Sequence, residues 1–131
     1  MLIIVRGIPG SGKTTFVKDK YPNFNHYEAD MYFVDEKGNY NFNPAELGNA
    51  HQWCQKQVLK SIKHGKTVVV SNTFVKLWEM KTYLDMAKTY NTPIKVYRMT
   101  SEYKSIHNVP DNVISRMKKE FEDYEGEAHI T

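Results

Sequence analysis

Hydrophobic and polar positions alternate between two patterns along this chain. Leu2-Ile3-Ile4-Val5 is a short β-branched and aliphatic run, and Lys66-Thr67-Val68-Val69-Val70-Ser71-Asn72 is a longer one. Continuous apolar runs of this length predict strands buried on both faces, as in a parallel sheet. Asn25 to Asp30 predicts a second strand ending at Asp30, and Ile94 to Arg98 a further one. Helical patterns fall between them. Thr14 to Lys18 can start a helix that Tyr21-Pro22-Asn23 stops. Asn43-Pro44 pairs an N-cap with a first-position proline, and the helix it opens runs to His64-Gly65, where the glycine suits a C-terminal cap. Leu47, Ala50, Cys54, Val58 and Ile62 form its apolar stripe. Leu77 to Tyr90 predicts another helix, and Pro110 opens a last one through Val113, Ile114, Met117 and Phe121. Strands alternating with helices imply right-handed crossovers and a three-layer α/β fold around a central parallel sheet. The expected organisation is one domain over residues 1–125, with 126–131 as a flexible tail.

The segment joining the first strand to the first helix carries the strongest chemical signal. Gly7-Ile8-Pro9-Gly10-Ser11-Gly12-Lys13-Thr14 matches the phosphate-binding loop pattern G-x-x-x-x-G-K-[ST], in the strand–loop–helix context that the pattern requires. Glycines let backbone N–H groups curl around phosphate oxygens, and the helix N-terminus adds partial positive charge. Lys13 supplies a full charge to the β/γ-phosphates and the Thr14 hydroxyl can ligate Mg²⁺. Nucleotide-binding residues are therefore expected at Gly7, Pro9, Gly10, Ser11, Gly12, Lys13, Thr14 and Thr15, with ATP and Mg²⁺ as cofactors.

Composition narrows the class without naming the reaction. At 131 residues there is room for one domain and little for a second catalytic one. A net charge of +3 permits a polyanionic partner but does not demand one. The single cysteine, Cys54, cannot form an internal disulfide and lies in a helical pattern, where a buried structural thiol is the simpler reading. No apolar run approaches membrane-spanning length. The first strand begins at residue 2, leaving no cleavable signal, so a cytoplasmic location is expected.

In parallel α/β sheets ligands sit at the carboxyl ends of the strands. That rule gathers the phosphate loop, Asp30, Asn72 and the Arg98 region on one rim. A kinase that phosphorylates a hydroxyl needs a carboxylate beside the acceptor oxygen, and Asp30 is the candidate, with a helix cap or turn as the alternative. In many P-loop enzymes an aspartate ends the strand where this chain has Asn72-Thr73. Neutral Asn72 suits a hydrogen bond to phosphate, metal-bound water or acceptor, or a plain turn. Positive charge for the moving phosphate has three candidates, Lys104, Arg98 and Arg116. Lys104 stands in the polar stretch from Thr100 to Asn108, where a water-excluding lid would sit, although a solvated surface lysine is the ordinary alternative. Arg116 could equally be a surface ion-pair partner. Tyr32 and Phe33 follow Asp30 directly and either stack on a nucleobase or belong to the core. His51 fits a packing role.

These residues together resemble the kinase domain of phage-type 5′-hydroxyl polynucleotide kinases, and more closely the small P-loop kinase domain of eukaryotic polynucleotide kinases. The likeness runs from Leu2 to about Glu125. Its specific parts are Phe42-Asn43-Pro44, Ala50-His51-Gln52-Trp53-Cys54-Gln55-Lys56, Asn72-Thr73, Trp78-Glu79-Met80, and Ile106-His107-Asn108-Val109-Pro110 leading to Arg116-Met117. The resemblance implies that Lys13 and Thr14 bind the ATP phosphates and Mg²⁺, and that Asp30 is the general base for a 5′-hydroxyl. It implies an acceptor-side role for Asn72 and Thr73, a base contact at Val109, and a lid cation at Lys104. The sequence departs from that pattern in three places. Lysine at 104 replaces an arginine and loses its planar fork. Phe33 stands where the phage enzymes carry an arginine that clamps the acceptor's phosphate. The segment between Arg98 and Val109 is shorter than the family's. No D-x-D-G-T sequence of a companion 3′-phosphatase occurs in these 131 residues, so none is expected within them.

The expected activity is ATP-dependent transfer of the γ-phosphate to the 5′-OH end of single-stranded DNA or RNA; a kinase of 131 residues suits a compact phage genome, acting in the host cytoplasm. A small-metabolite or nucleoside kinase shares the loop and the base. A non-catalytic ATP-binding module shares the loop alone.

Overall fold

The computed structural model describes residues 1–102 and 109–131. Five strands form one all-parallel sheet: β1 (Leu2–Arg6), β2 (Asn25–Tyr27), β3 (Val68–Asn72), β4 (Ile94–Met99) and β5 (Ala128–Ile130). Their spatial order is β2-β3-β1-β4-β5. Among the described residues the α-helices are α1 (Lys13–Lys20), α2 (Leu47–Lys63), α3 (Lys81–Thr89) and α4 (Asp111–Glu120). Among the described residues no helix is long and apolar enough to cross a membrane.

The period of two along a strand divides the core into two layers. Leu2, Ile4, Val68, Val70 and Val96 face α2 and α3, meeting Ala50, Cys54, Val58, Ile62, Tyr83 and Ala87. Ile3, Val5, Val69 and Tyr97 face the other way and pack with Val17 of α1. The three-layer α/β expectation holds, and the continuous apolar strands follow from cover on both faces.

Two expectations change. The second strand stops at Tyr27, and Asp30 lies in a 3₁₀ turn, Ala29–Phe33, that follows it. Asn72 at the end of β3 imposes this turn, because its side-chain oxygen accepts the Ala29 N–H at 2.9 Å. The last residues are not a loose tail: Ala128, His129 and Ile130 pair with Tyr97, Arg98 and Met99. Glu127, immediately before β5, ties them down. Its carboxylate accepts from Arg6 at 2.8 Å, from Arg98 at 3.4 Å and from the Tyr124 N–H at 3.0 Å.

Arg6 is fully buried at the end of β1 and tethers this side of the molecule. Besides Glu127, its guanidinium donates to the carbonyls of Phe74 (2.7 and 3.1 Å) and Val75 (3.3 Å). Phe74 itself has φ of 47°, a left-handed conformation that turns its carbonyl to this donor. The Arg6 and Arg98 guanidinium groups each lie 4.4 Å from the centre of the Phe121 ring.

Candidate active site

A cleft of about 1160 Å³ opens where β1 and β3 end. Phosphate-loop residues Pro9 to Thr15 form one wall. Asp30, Tyr40, Phe42 and His51 form another, and Val109, Val113, Met117 and Ile130 close a third side.

The loop has the form that an anion requires. Gly12 takes φ of 89°, which a side chain would oppose, and α1 begins after it without a side-chain cap. The first-turn N–H groups are thus left for a ligand. The Ser11 hydroxyl is buried without a partner among the described residues. Lys13 folds back to donate to the carbonyls of Gly7 (2.9 Å) and Ile8 (3.0 Å), two acceptors that phosphate oxygens can replace. Burial lowers the Lys13 pKa to about 8, although Glu28 and Asp30 pull it upward. Both carboxylates therefore act on this ammonium, and the base candidate shares its cleft.

Asp30 accepts a hydrogen bond from the Tyr40 hydroxyl at 3.3 Å. Burial first, and then Asp30, push the Tyr40 phenol up to about 12. Tyr40 reaches this position because Val34 and Tyr40 bridge across the turn between them. The Asp35 side chain closes that turn by accepting the N–H groups of Lys37 and Asn39, each at 2.9 Å.

The structure redistributes several roles assigned from sequence. Phe33 is 6% exposed and belongs to the core, so its ring is not open to a base. Tyr40 and Phe42 lie edge-on against it, at 6.3 and 5.1 Å. Their own rings are parallel within 9° and exposed. Tyr32 is exposed but turns toward Trp53 and Glu46 rather than lining the cleft. Asn72 lines the cleft, yet its oxygen is committed to Ala29. Thr73 lines it too, and its carbonyl receives the Gly7 N–H at 3.2 Å.

Arg98 is drawn into the ion pairs with Asp123 and Glu127 and is not part of the cleft lining. Arg116 is exposed on α4, while Val113 and Met117 of that helix face the cleft. Lys104 lies outside the described residues.

Sequence reasoning gave no site role to Glu28, Ser71, Tyr40 or Phe42, and took His51 for packing although it is exposed and lines the cleft. A carboxylate two residues before Asp30 was the available signal. Thr14 and Glu28 offer hard oxygen donors of the kind Mg²⁺ takes. No group of three or more His, Cys, Asp or Glu among the described residues could cage a metal. The residues therefore fit a Mg²⁺ held largely through nucleotide phosphates.

Known proteins share this fold and parts of this sequence. NEDD4-binding protein 2 of Homo sapiens is 26% identical over 137 residues, covering 95% of this chain and 8% of that protein. The bifunctional polynucleotide phosphatase/kinase of Schizosaccharomyces pombe is 22% identical over 108 residues, covering 82% of this chain and 23% of that one. The chain thus spans less than a quarter of either relative. Among solved structures, the Pnkp1/Rnl/Hen1 complex matches with TM-score 0.62 and 19% identity, over 88% of this chain and 38% of that chain. A sugar kinase from Janibacter sp. HTCC2649 matches with TM-score 0.63 and 15% identity, over 98% and 82%. The phosphate loop, the all-parallel sheet and a family match over residues 2–124 agree: the chain belongs to the AAA_33 family, an AAA domain, on the fold of the P-loop kinases.

Proposed function

We propose that this domain transfers the γ-phosphate of ATP to a 5′-hydroxyl at a nucleic-acid end. The observation that carries the reading is the shared cleft of Lys13 and Asp30, a phosphate-binding ammonium and a carboxylate that acts on it electrostatically. Asp30 accepts the proton of the attacking hydroxyl as the new O–P bond forms, and the donor's β–γ bridging oxygen leaves with ADP. Lys13 and the loop N–H groups hold the phosphates. Mg²⁺, bound at Thr14, would neutralise charge between the β- and γ-phosphates. Lys104 is assigned to the moving phosphate on the strength of the sequence resemblance. Tyr40 and Phe42, two exposed rings parallel within 9° in the cleft of Asp30, offer the end's terminal base an aromatic face to stack on. The polynucleotide kinase named among the relatives supports a nucleic-acid acceptor.

A second reading, phosphorylation of a nucleoside or other small neutral acceptor, has its own support. Lys13 is the one Lys or Arg among the described residues lining the cleft, which leaves the acceptor's phosphates no described cation. Transfer of labelled γ-phosphate from ATP to a 5′-OH oligonucleotide tests the first reading, with a free nucleoside and its 3′-phosphate as parallel acceptors. Labelling of the oligonucleotide and the 3′-phosphate supports it; labelling of the free nucleoside alone supports the second. ATP binding without transfer to any acceptor would leave a nucleotide-binding module.

A further inference from the structure

Thr14 can face a cation with its hydroxyl oxygen only if its proton has somewhere to go. The structure supplies that acceptor: Thr14 Oγ1 donates to Glu28 Oε1 at 2.6 Å. The same carboxylate oxygen accepts the Ser71 hydroxyl at 2.9 Å. Ser71 Oγ in turn lies 2.6 Å from His26 Nε2. A hydroxyl has a single proton, and that of Ser71 goes to Glu28. His26 must therefore donate, so its proton sits on Nε2. Every link has a defined direction, from His26 through Ser71 to Glu28, with Thr14 donating from the other side.

The end of β3 bears Ser71 and Asn72, neither able to supply a negative charge. Glu28, just past β2 on the neighbouring strand, brings a carboxylate to the same place. Its side chain is 18% exposed and lines the cleft. Orientation by two hydroxyls fixes its rotamer, which a long flexible acid would otherwise lose entropy to adopt.

We propose that Glu28 is the anionic anchor for a divalent cation bound with the nucleotide, and that Ser71 and His26 are positioning residues that aim it. The ligand is a hard divalent ion accompanying a nucleoside di- or triphosphate. The proposal rests on the nucleotide site described above but not on the identity of the acceptor.

Mn²⁺ is the probe. ADP affinity is measured by calorimetry with and without Mn²⁺, for the wild type and Glu28→Gln. Mn²⁺ should tighten ADP binding to the wild type, and Glu28→Gln should lose roughly tenfold or more of that gain. Its metal-free ADP affinity should hold or improve, because a negative charge near Lys13 is gone. Ser71→Ala should lose part of the gain. A Gln variant that keeps the full gain overturns the assignment, as does a wild type whose ADP affinity ignores Mn²⁺.

A measurement on wild type covers the case of a variant that does not fold. With ¹³C-carboxyl glutamate and ADP present, Mn²⁺ should broaden the Glu28 resonance away while Glu125 persists. An unaffected Glu28 signal sinks the idea. Failure to phosphorylate any 5′-OH end, with the metal gain intact, would remove the proposed acceptor and leave Glu28 in its role.

Discussion

Asn72 holds Ala29 in place: the amide oxygen at the end of β3 accepts the Ala29 N–H at 2.9 Å, and the next residue is Asp30. The candidate base is thus positioned by a strand that does not carry it. Asn72→Ala leaves a partly buried N–H without its acceptor, at a cost of about 1–3 kcal/mol. We expect kcat to fall by roughly tenfold or more, because misplacing a reacting group is costly. Asn72→Asp keeps an acceptor and should lie between wild type and alanine. Steady-state kinetics beside urea melts separates the two effects.

The Lys13 pKa of about 8 sets a pH limit on nucleotide binding. Bound phosphates favour the ammonium, so the pKa rises in the complex. Affinity should be flat below pH 8 and fall above it, approaching tenfold per unit until the complex also titrates. Calorimetry with ADP from pH 7 to 9.5 reads this directly, and Lys13→Met should remove the slope. Stability of the free protein runs the other way. The unfolded lysine binds more protons than the folded one between about pH 8 and 10.5, so this group adds stability as pH rises through that window. Melts of wild type against Lys13→Met isolate that contribution.

Phe42 and Tyr40 present exposed rings in the cleft that Asp30 also lines, and Tyr40 bonds Asp30. If a terminal base stacks there, Phe42→Ala should raise the oligonucleotide KM by roughly fivefold or more, from about 1–3 kcal/mol of stacking, and leave the KM for ATP unchanged. Tyr40→Phe keeps the ring and removes the hydrogen bond to Asp30, so its effect should fall on kcat instead.

Glu127 should govern acid sensitivity. Burial pushes its carboxyl up, but the Tyr124 N–H and the Arg6 guanidinium outweigh that and hold it below the usual range. A depressed folded pKa gives stability that is complete above the unfolded value, near 4.5, and is lost as pH falls through the folded one. Glu127→Gln leaves buried Arg6 without its counter-charge and should cost about 3 kcal/mol. It should also flatten the acid limb of a stability–pH profile.

Gly7 has no room for a side chain. A Cβ there would sit 2.4 Å from Ser11 Oγ and 3.2 Å from the Met99 carbonyl. Gly7→Ala should therefore displace the buried Ser11 hydroxyl and weaken ADP binding, while Gly48→Ala, in open space within α2, should not.

What the sequence disclosed was local. The phosphate loop, the apolar β1 and β3 and the α2 stripe are contiguous patterns that report their own burial. The missing parts depend on distant partners. Asp30 leaves its strand because Asn72, far along the chain, captures Ala29. A three-residue β5 has no apolar run of its own and forms because Arg6 and Arg98 hold Glu127. Arg98 was a plausible phosphate ligand by position, and only the fold shows Asp123 and Glu127 claiming it. Glu28 gave only its spacing from Asp30 as a signal, because its meaning arises from Thr14 and Ser71 arriving from two other elements.

The pairing of β5 bears on handling the protein. Thr100 bonds the Ile130 carbonyl through both its N–H and its hydroxyl, and Thr131 borders the cleft. Met1, bonded to Thr67 ahead of β3, lies at the opposite end of the sheet. An affinity tag fused after Thr131 would emerge beside the cleft, whereas one fused before Met1 would leave from the opposite end of the sheet.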